Sequence, residues 1–179
     1  MSREAIEFIN SRRVTRHFQD TPVSDEDLWT ILRAARWAPA ASNIRLHRYV
    51  CITDRSLIEQ IKMVSPGIAG TRPAAIIALC VDRNLDAFDT IEKNYHEYID
   101  AGTATENMLL AAHALNIGAC PATLDSPNAV QALLNTPSGW TVEMFVLLGY
   151  PQPAPPEVSS RRKQQLRVED LVQWGAFPG

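Results

Sequence analysis

Cysteine is scarce in this sequence: three in 179 residues, Cys51, Cys80 and Cys120, far apart and with no CxxC pair. That excludes a zinc ribbon or a disulfide framework and points to a reducing, cytoplasmic compartment. A basic excess is also missing. Seventeen Lys and Arg against twenty Asp and Glu leave a net charge of −3, so the electrostatic footprint of a nucleic-acid binder is absent. The longest apolar run, Pro73 to Val81, is far short of the ~20 residues that cross a bilayer. The first residues lack the apolar core of a secretory signal. The chain therefore reads as soluble, with neither a membrane nor a nucleic acid as partner. Eight glycines and twelve prolines exclude collagen-like and low-complexity classes. No GxGxxG, P-loop, HExxH, GxSxG or SxxK is present. The four histidines, His17, His47, His96 and His113, have no metal-ligand spacing, so no metal site and no catalytic side chain is nominated.

What is present is a core. With 46% hydrophobic and 21% charged residues, the chain has the length and composition of one domain, 1–179, with 150–179 as an extended C-terminal arm. Ser2 opens a short helix carrying Ile6, Phe8 and Ile9 and ending near Ser11. Ser24 caps a second helix, with Asp25, Glu26 and Asp27 in its first turn. Leu28, Ile31, Leu32 and Ala35 form its apolar stripe, and Pro39 stops it. Arg48 to Thr53 reads as a strand, and Asp54 to Val64 as a helix broken at Ser65-Pro66-Gly67. Ala74 to Val81 does not alternate, as expected of a central strand covered on both faces. Asp82 to Tyr98 reads as a loop or short mobile helix. Asp100 to Asn116 is an alanine-rich, buried helix with Gly118 as its stop. Ala119 to Leu124 is extended, Asp125 and Ser126 start another helix, and Val142 to Leu148 is a last core strand closed by Gly149. Beyond four prolines (Pro151, Pro153, Pro155, Pro156), the apolar Leu171, Val172, Trp174 and Phe177 need a surface to pack on. An arm exchanged with a neighbouring subunit provides one.

Two features carry chemistry. Arg12, Arg13 and Arg16 cluster directly after a helix, and three guanidiniums so close repel one another unless an anion offsets them. A solvated charged face is the plain alternative. The second is Ala38-Pro39-Ala40-Ala41-Ser42-Asn43, followed by Arg45, His47 and Arg48. Small residues let a flat ligand approach the backbone; an ordinary helix-stop loop is the plain alternative here.

Taken in order, these pieces resemble the FMN-dependent nitroreductase family. The matching text is Arg12-Arg13-Val14-Thr15-Arg16-His17-Phe18, then Pro22, then Ala34 to Val50 around Ala38-Pro39-Ala40-Ala41-Ser42-Asn43. Further on come Glu106 to Ala112, the turn Asn116-Ile117-Gly118-Ala119-Cys120, Leu148-Gly149-Tyr150-Pro151 and Val168 to Val172. The resemblance implies an α+β, three-layer fold with a central, mostly antiparallel sheet flanked by helices, and a homodimer with FMN at the interface. It implies that Arg12 and Arg13 bind the FMN phosphate and ribityl chain and that Arg16 reaches the ribityl or the ring's pyrimidine edge, where positive charge stabilises the anionic reduced flavin. Pro39, Ala40, Ala41 and Asn43 would line the isoalloxazine from the other subunit. The amides of Ala122 and Thr123 would lie near flavin N5, and one of Arg161, Arg162 or Lys163 would complete the phosphate site. The implied activity is ping-pong transfer of hydride from NAD(P)H to FMN and on to a small-molecule electron acceptor: a nitroaromatic, quinone or activated alkene.

The sequence departs from the family pattern in places. Val14 stands where serine is usual, so its backbone is left to serve. Ala40 and Ala41 also replace serine, and Arg45-Leu46-His47 replaces Gln-Pro-Trp. The segment 86–98 reads as a short cover over an open site. Three other readings remain: a same-fold flavin enzyme with different chemistry (dehalogenation, azoline oxidation, flavin cleavage), a non-catalytic flavin-binding dimer, and a structural protein without ligand.

Overall fold

The computed structural model describes residues 2–43, 45, 47–83, 96–153 and 167–176. Six helices are described: α1 (Ser2–Ser11), α2 (Asp25–Arg36), α3 (Arg55–Val64), α4 (His96–Ala114), α5 (Pro127–Leu133) and α6 (Val168–Leu171). The strands are β1 (His47–Ile52), β2 (Ala75–Asp82), β3 (Gly118–Ala122) and β4 (Trp140–Gly149). They form one sheet in the order β1-β2-β4-β3 with every neighbouring pair antiparallel.

The sheet is the middle of three layers. Along β2 successive side chains point to opposite faces. Ala75 and Ile77 join Leu28, Ile31 and Ala35 of α2 and Ala104, Met108 and Ala112 of α4. Ile76, Ala78 and Cys80 join Ile58 and Ile61 of α3 and Val130 of α5 on the other side. Both faces being covered, β2 is buried from Ala75 to Val81, which is why its sequence does not alternate.

Local chemistry sets several boundaries. The Ser24 hydroxyl accepts from the Asp27 N–H (3.1 Å) and the Asp54 carboxylate from the Leu57 N–H (2.7 Å), capping α2 and α3. Other boundaries move. α4 begins at His96, four residues before the expected Asp100, and β4 begins at Trp140. Asn116, not Gly118, ends the helical segment: it adopts φ +57 while the Ile117 N–H returns to the Ala112 carbonyl (2.8 Å). Gly118 is instead the first residue of β3, and a Cβ there would meet the Thr15 side chain at 2.6 Å. Ser126 makes no side-chain cap, and α5 starts at Pro127. Residues 86–95 of the expected cover, 86–98, lie outside the described residues, as do Arg161, Arg162, Lys163 and Phe177.

Candidate functional site

The arginine segment is built as an extra strand-like rail. Val14 bridges Ala119 in parallel, the Thr15 N–H donates to the Ala119 carbonyl (2.9 Å), and Phe18 bridges Pro151. From there the segment passes the Gly118 end of β3, where a Cβ on Gly118 would meet Thr15 and one on Gly149 would meet Phe18. Arg16 lies close enough to Cys120 to oppose the rise that burial imposes on that thiol. Gly70 (φ +94) closes on the same point: a Cβ there would lie 1.8 Å from the Arg16 carbonyl oxygen, so only glycine fits.

The three arginines differ in state. Arg13 folds back, donating from Nη1 to the Asn10 carbonyl (2.6 Å) and the Arg12 carbonyl (2.8 Å). The Arg16 side chain has no hydrogen-bond or ion-pair partner among the described residues. Arg12 is held by Glu106 of α4 (Nε to Oε1, 3.4 Å), yet its Nη1 is buried and has no partner among the described residues. A buried donor without an acceptor costs ~1–3 kcal/mol, more when charged. Beside it is a cavity of about 240 Å³ lined by Ser11, Arg12, Arg13, Thr15, His113 and Gly118. An anionic oxygen is the group this nitrogen lacks, and a phosphate fits that donor set.

The second segment forms a 3-10 turn, Ala41–Asn43, after α2. Ser42, Asn43 and Arg45 all have positive φ, and Ala40 and Ala41 are half-buried. α4 holds this turn: the Ala41 N–H donates to Asp100 (2.9 Å), and the Thr103 hydroxyl reaches the Pro39 carbonyl (3.0 Å). α4 thus carries both segments, the turn through Asp100 and Thr103, and Ser11 and Arg12 through His113 and Glu106. Between them the helix surface is open. Ile99 is exposed, and no described residue lies within 4 Å of where a Cβ on Gly102 would stand. Among the described residues, no hydrogen bond or ion pair joins the Arg12–Arg16 segment to the turn 39–43. Ala122 ends β3 half-buried, and Thr123 beyond it is exposed.

His47 enters β1 nearly buried beside Tyr49, ring centroids 5.3 Å apart. Burial pushes its pKa down, Arg45 and Arg48 add to that, and Asp100 opposes it. Burial raises the Tyr49 hydroxyl to about 12 and the Cys80 thiol to about 11, so neither ionises at neutral pH. At the start of α4, Arg83 pairs with Glu97 and with Glu143 (2.7 Å) and donates to the Tyr98 hydroxyl (3.3 Å). Tyr98 is thereby engaged in this network. Sequence reasoning missed Asp100, Thr103 and Glu106 as supports. Their signal was present as polar residues at helical spacing in an alanine-rich helix.

The chain is similar to known proteins. The Nitroreductase family profile matches residues 9–65 and 65–150. An Archaeoglobus fulgidus protein provisionally named NADH dehydrogenase/NAD(P)H nitroreductase is 32% identical, over 83% of this chain and 86% of its own. An NADPH-flavin oxidoreductase of Vibrio harveyi is 25% identical, over 94% of this chain and 78% of its own. The structure of an FMN-dependent nitroreductase from Clostridium difficile superposes with TM-score 0.74 at 22% identity, covering 96% and 99% of the two chains. The fold expected from sequence, helices on both faces of a mostly antiparallel sheet, is the one these proteins share, and the chain belongs to the nitroreductase family.

Proposed function

We propose that this oxidoreductase binds FMN, takes reducing equivalents from NAD(P)H, and delivers them to a small organic acceptor such as a nitroaromatic, quinone or activated alkene. The observation that carries the reading is the buried, unpartnered Nη1 of Arg12 beside its cavity. Arg12 would donate to the flavin phosphate. Arg16, without a described partner, would place positive charge on the ribityl or pyrimidine side. Pro39, Ala40, Ala41 and Asn43 would give the ring a small-residue wall, with the amides of Ala122 and Thr123 at its edge. Arg161, Arg162 or Lys163 would complete the phosphate contacts. Bound flavin supplies the redox chemistry, accepting hydride and passing electrons on. The protein's share is to hold it, screen it from water and bias it electrostatically. No described side chain stands out as a general acid. The three free cysteines suit a reducing cytoplasm.

The working unit we propose is a homodimer. Every described side chain of α1 is exposed, including Ile6, Phe8 and Ile9, and the open face of α4 lies between the two site segments. A second copy would cover these and bring its 39–43 turn to the first copy's arginines. The C-terminal arm would exchange as well. Val168, Leu171 and Trp174 are exposed, and a cavity of about 660 Å³ between α2 and β1 offers them apolar Leu28, Trp29, Leu32 and Tyr49, beside the charged Asp25, Arg33, Arg36 and Arg48.

The test is a visible absorption spectrum of the purified protein before and after FMN and then NADH, with light scattering on the same sample. The expected result is a flavin band that bleaches with NADH, in a particle of twice the chain mass. A protein that takes up no FMN would sink the reading. A band that NADH does not bleach would favour a flavin-binding dimer without turnover.

A further inference from the structure

We propose that Asp100 and Thr103 are positioning residues that set the turn 39–43, and through it the affinity for the flavin ring. This rests on the flavin reading above. α4 carries a polar stripe at Asp100, Thr103 and Asn107 within an otherwise alanine-rich helix. All three side chains contact the backbone of one stretch. The Asp100 carboxylate accepts from the Ala41 N–H (2.9 Å), the Thr103 hydroxyl lies 3.0 Å from the Pro39 carbonyl, and the Asn107 amide donates to the Ala34 carbonyl (3.0 Å). The side chains thus track the chain from the last turn of α2 to the start of the 3-10 turn.

Asp100 is the telling member. It is only 7% exposed, and no described cation pairs with it. A buried carboxylate is costly unless it is well partnered, and a fold that only needed α4 packed would do better with an apolar residue there. The partner it has is an amide of the turn. That turn, in turn, holds Ser42 and Asn43 at φ 49 and 58, a conformation non-glycine residues rarely adopt unless the surroundings impose it. The bond anchors the turn one residue before this unusual stretch. Thr103 fixes it from the other side, its hydroxyl also 3.0 Å from the Asp100 carbonyl within the same helix.

The experiment uses the full chain, apo and FMN-loaded, as wild type, Asp100→Ala, Asp100→Asn and Thr103→Val. Asparagine keeps an acceptor oxygen for the Ala41 N–H and loses the charge. Two quantities are read: amide hydrogen exchange of residues 40–43 in apo protein, and the FMN dissociation constant by fluorescence. Asp100→Ala is expected to speed exchange in 40–43 about ten-fold and to weaken FMN about ten-fold, the loss of one hydrogen bond. β2 should exchange as before, and Asp100→Asn should restore both readouts to within about three-fold of wild type. If Asp100→Ala does not fold, Thr103→Val is expected to move both readouts in the same direction. Unchanged exchange in 40–43 would overturn the positioning role. Faster exchange with unchanged FMN affinity would overturn its link to the ligand. A wild-type chain that takes up no FMN would overturn the flavin reading, and the apo exchange would still decide whether Asp100 holds the turn.

Discussion

Strand β2 and helix α1 are both written in apolar residues, and they end in opposite environments. From Ala75 to Leu79 the strand has no exposed surface, whereas Ile6, Phe8 and Ile9 of α1 are 58%, 36% and 48% exposed. The strand meets helices of its own chain on both faces. The helix is tied to the body near its C-terminal end, by Phe8 stacked on His113 (centroids 4.9 Å) and by the Ser11 hydroxyl bonded to the same ring (2.8 Å). An apolar pattern announces that a face will be covered and leaves open which molecule covers it. For β2 the covering partner is intramolecular; for α1 no described residue covers the exposed apolar surface.

The comparison can be broken most forcefully at Phe145, fully buried in the cluster under α3 and α5. Phe145→Ala removes a large core side chain and is expected to lower stability by ~3–5 kcal/mol in denaturant melts. That loss should not depend on protein concentration, and concentration dependence would mean the core is shared between copies. The mirror experiment is the double substitution Ile6→Glu with Ile9→Glu. It should leave the stability of the separated chain nearly untouched and weaken self-association by about a hundred-fold in sedimentation, since burying two such side chains is worth ~3 kcal/mol or more. An unaltered association constant would remove α1 from the interface.

The smallest effect sharpens the buried side. His47 has its folded pKa pushed below the usual 6.5 by burial. As pH falls below 6.5 the unfolded chain takes up a proton that the folded chain resists, so stability falls with pH in that window. His47→Gln should flatten part of this decline when melting temperatures are followed from about pH 7.5 down to about pH 5.5. Equal slopes for both proteins would assign the decline to other groups.

Boundaries written in neighbouring residues were legible in the sequence. Ser24 and Asp54 cap their helices through bonds to residues three positions on, and the acidic first turn of α2 follows the same local rule. Gly118 was misjudged because glycine has two uses. A helix stop and a close approach look alike in sequence, and here Thr15, brought in from the opposite end of the chain, takes the space. The arginine cluster was visible as a cluster. Which of its members has a buried nitrogen without an acceptor depends on Glu106 and on the folding-back of Arg13, both set by tertiary packing. The turn 39–43 was visible as a patch of small residues. Its support from Asp100 was not, because the polar spacing along α4 does not say which residue, 59 positions away, the carboxylate bonds.

The rail laid by Val14 to Phe18 also bears on how these molecules can aggregate. It bridges β3 at Ala119 and the exit of β4 at Pro151, which obstructs strand-on-strand growth at those two points. Among the described strands, β1 forms the opposite margin with nothing paired beyond it. A sheet obstructed at one margin is extended more readily at the other. Two copies joining open margin to open margin would seal each other, and an endless cross-β stack would lack the second template it needs at every step.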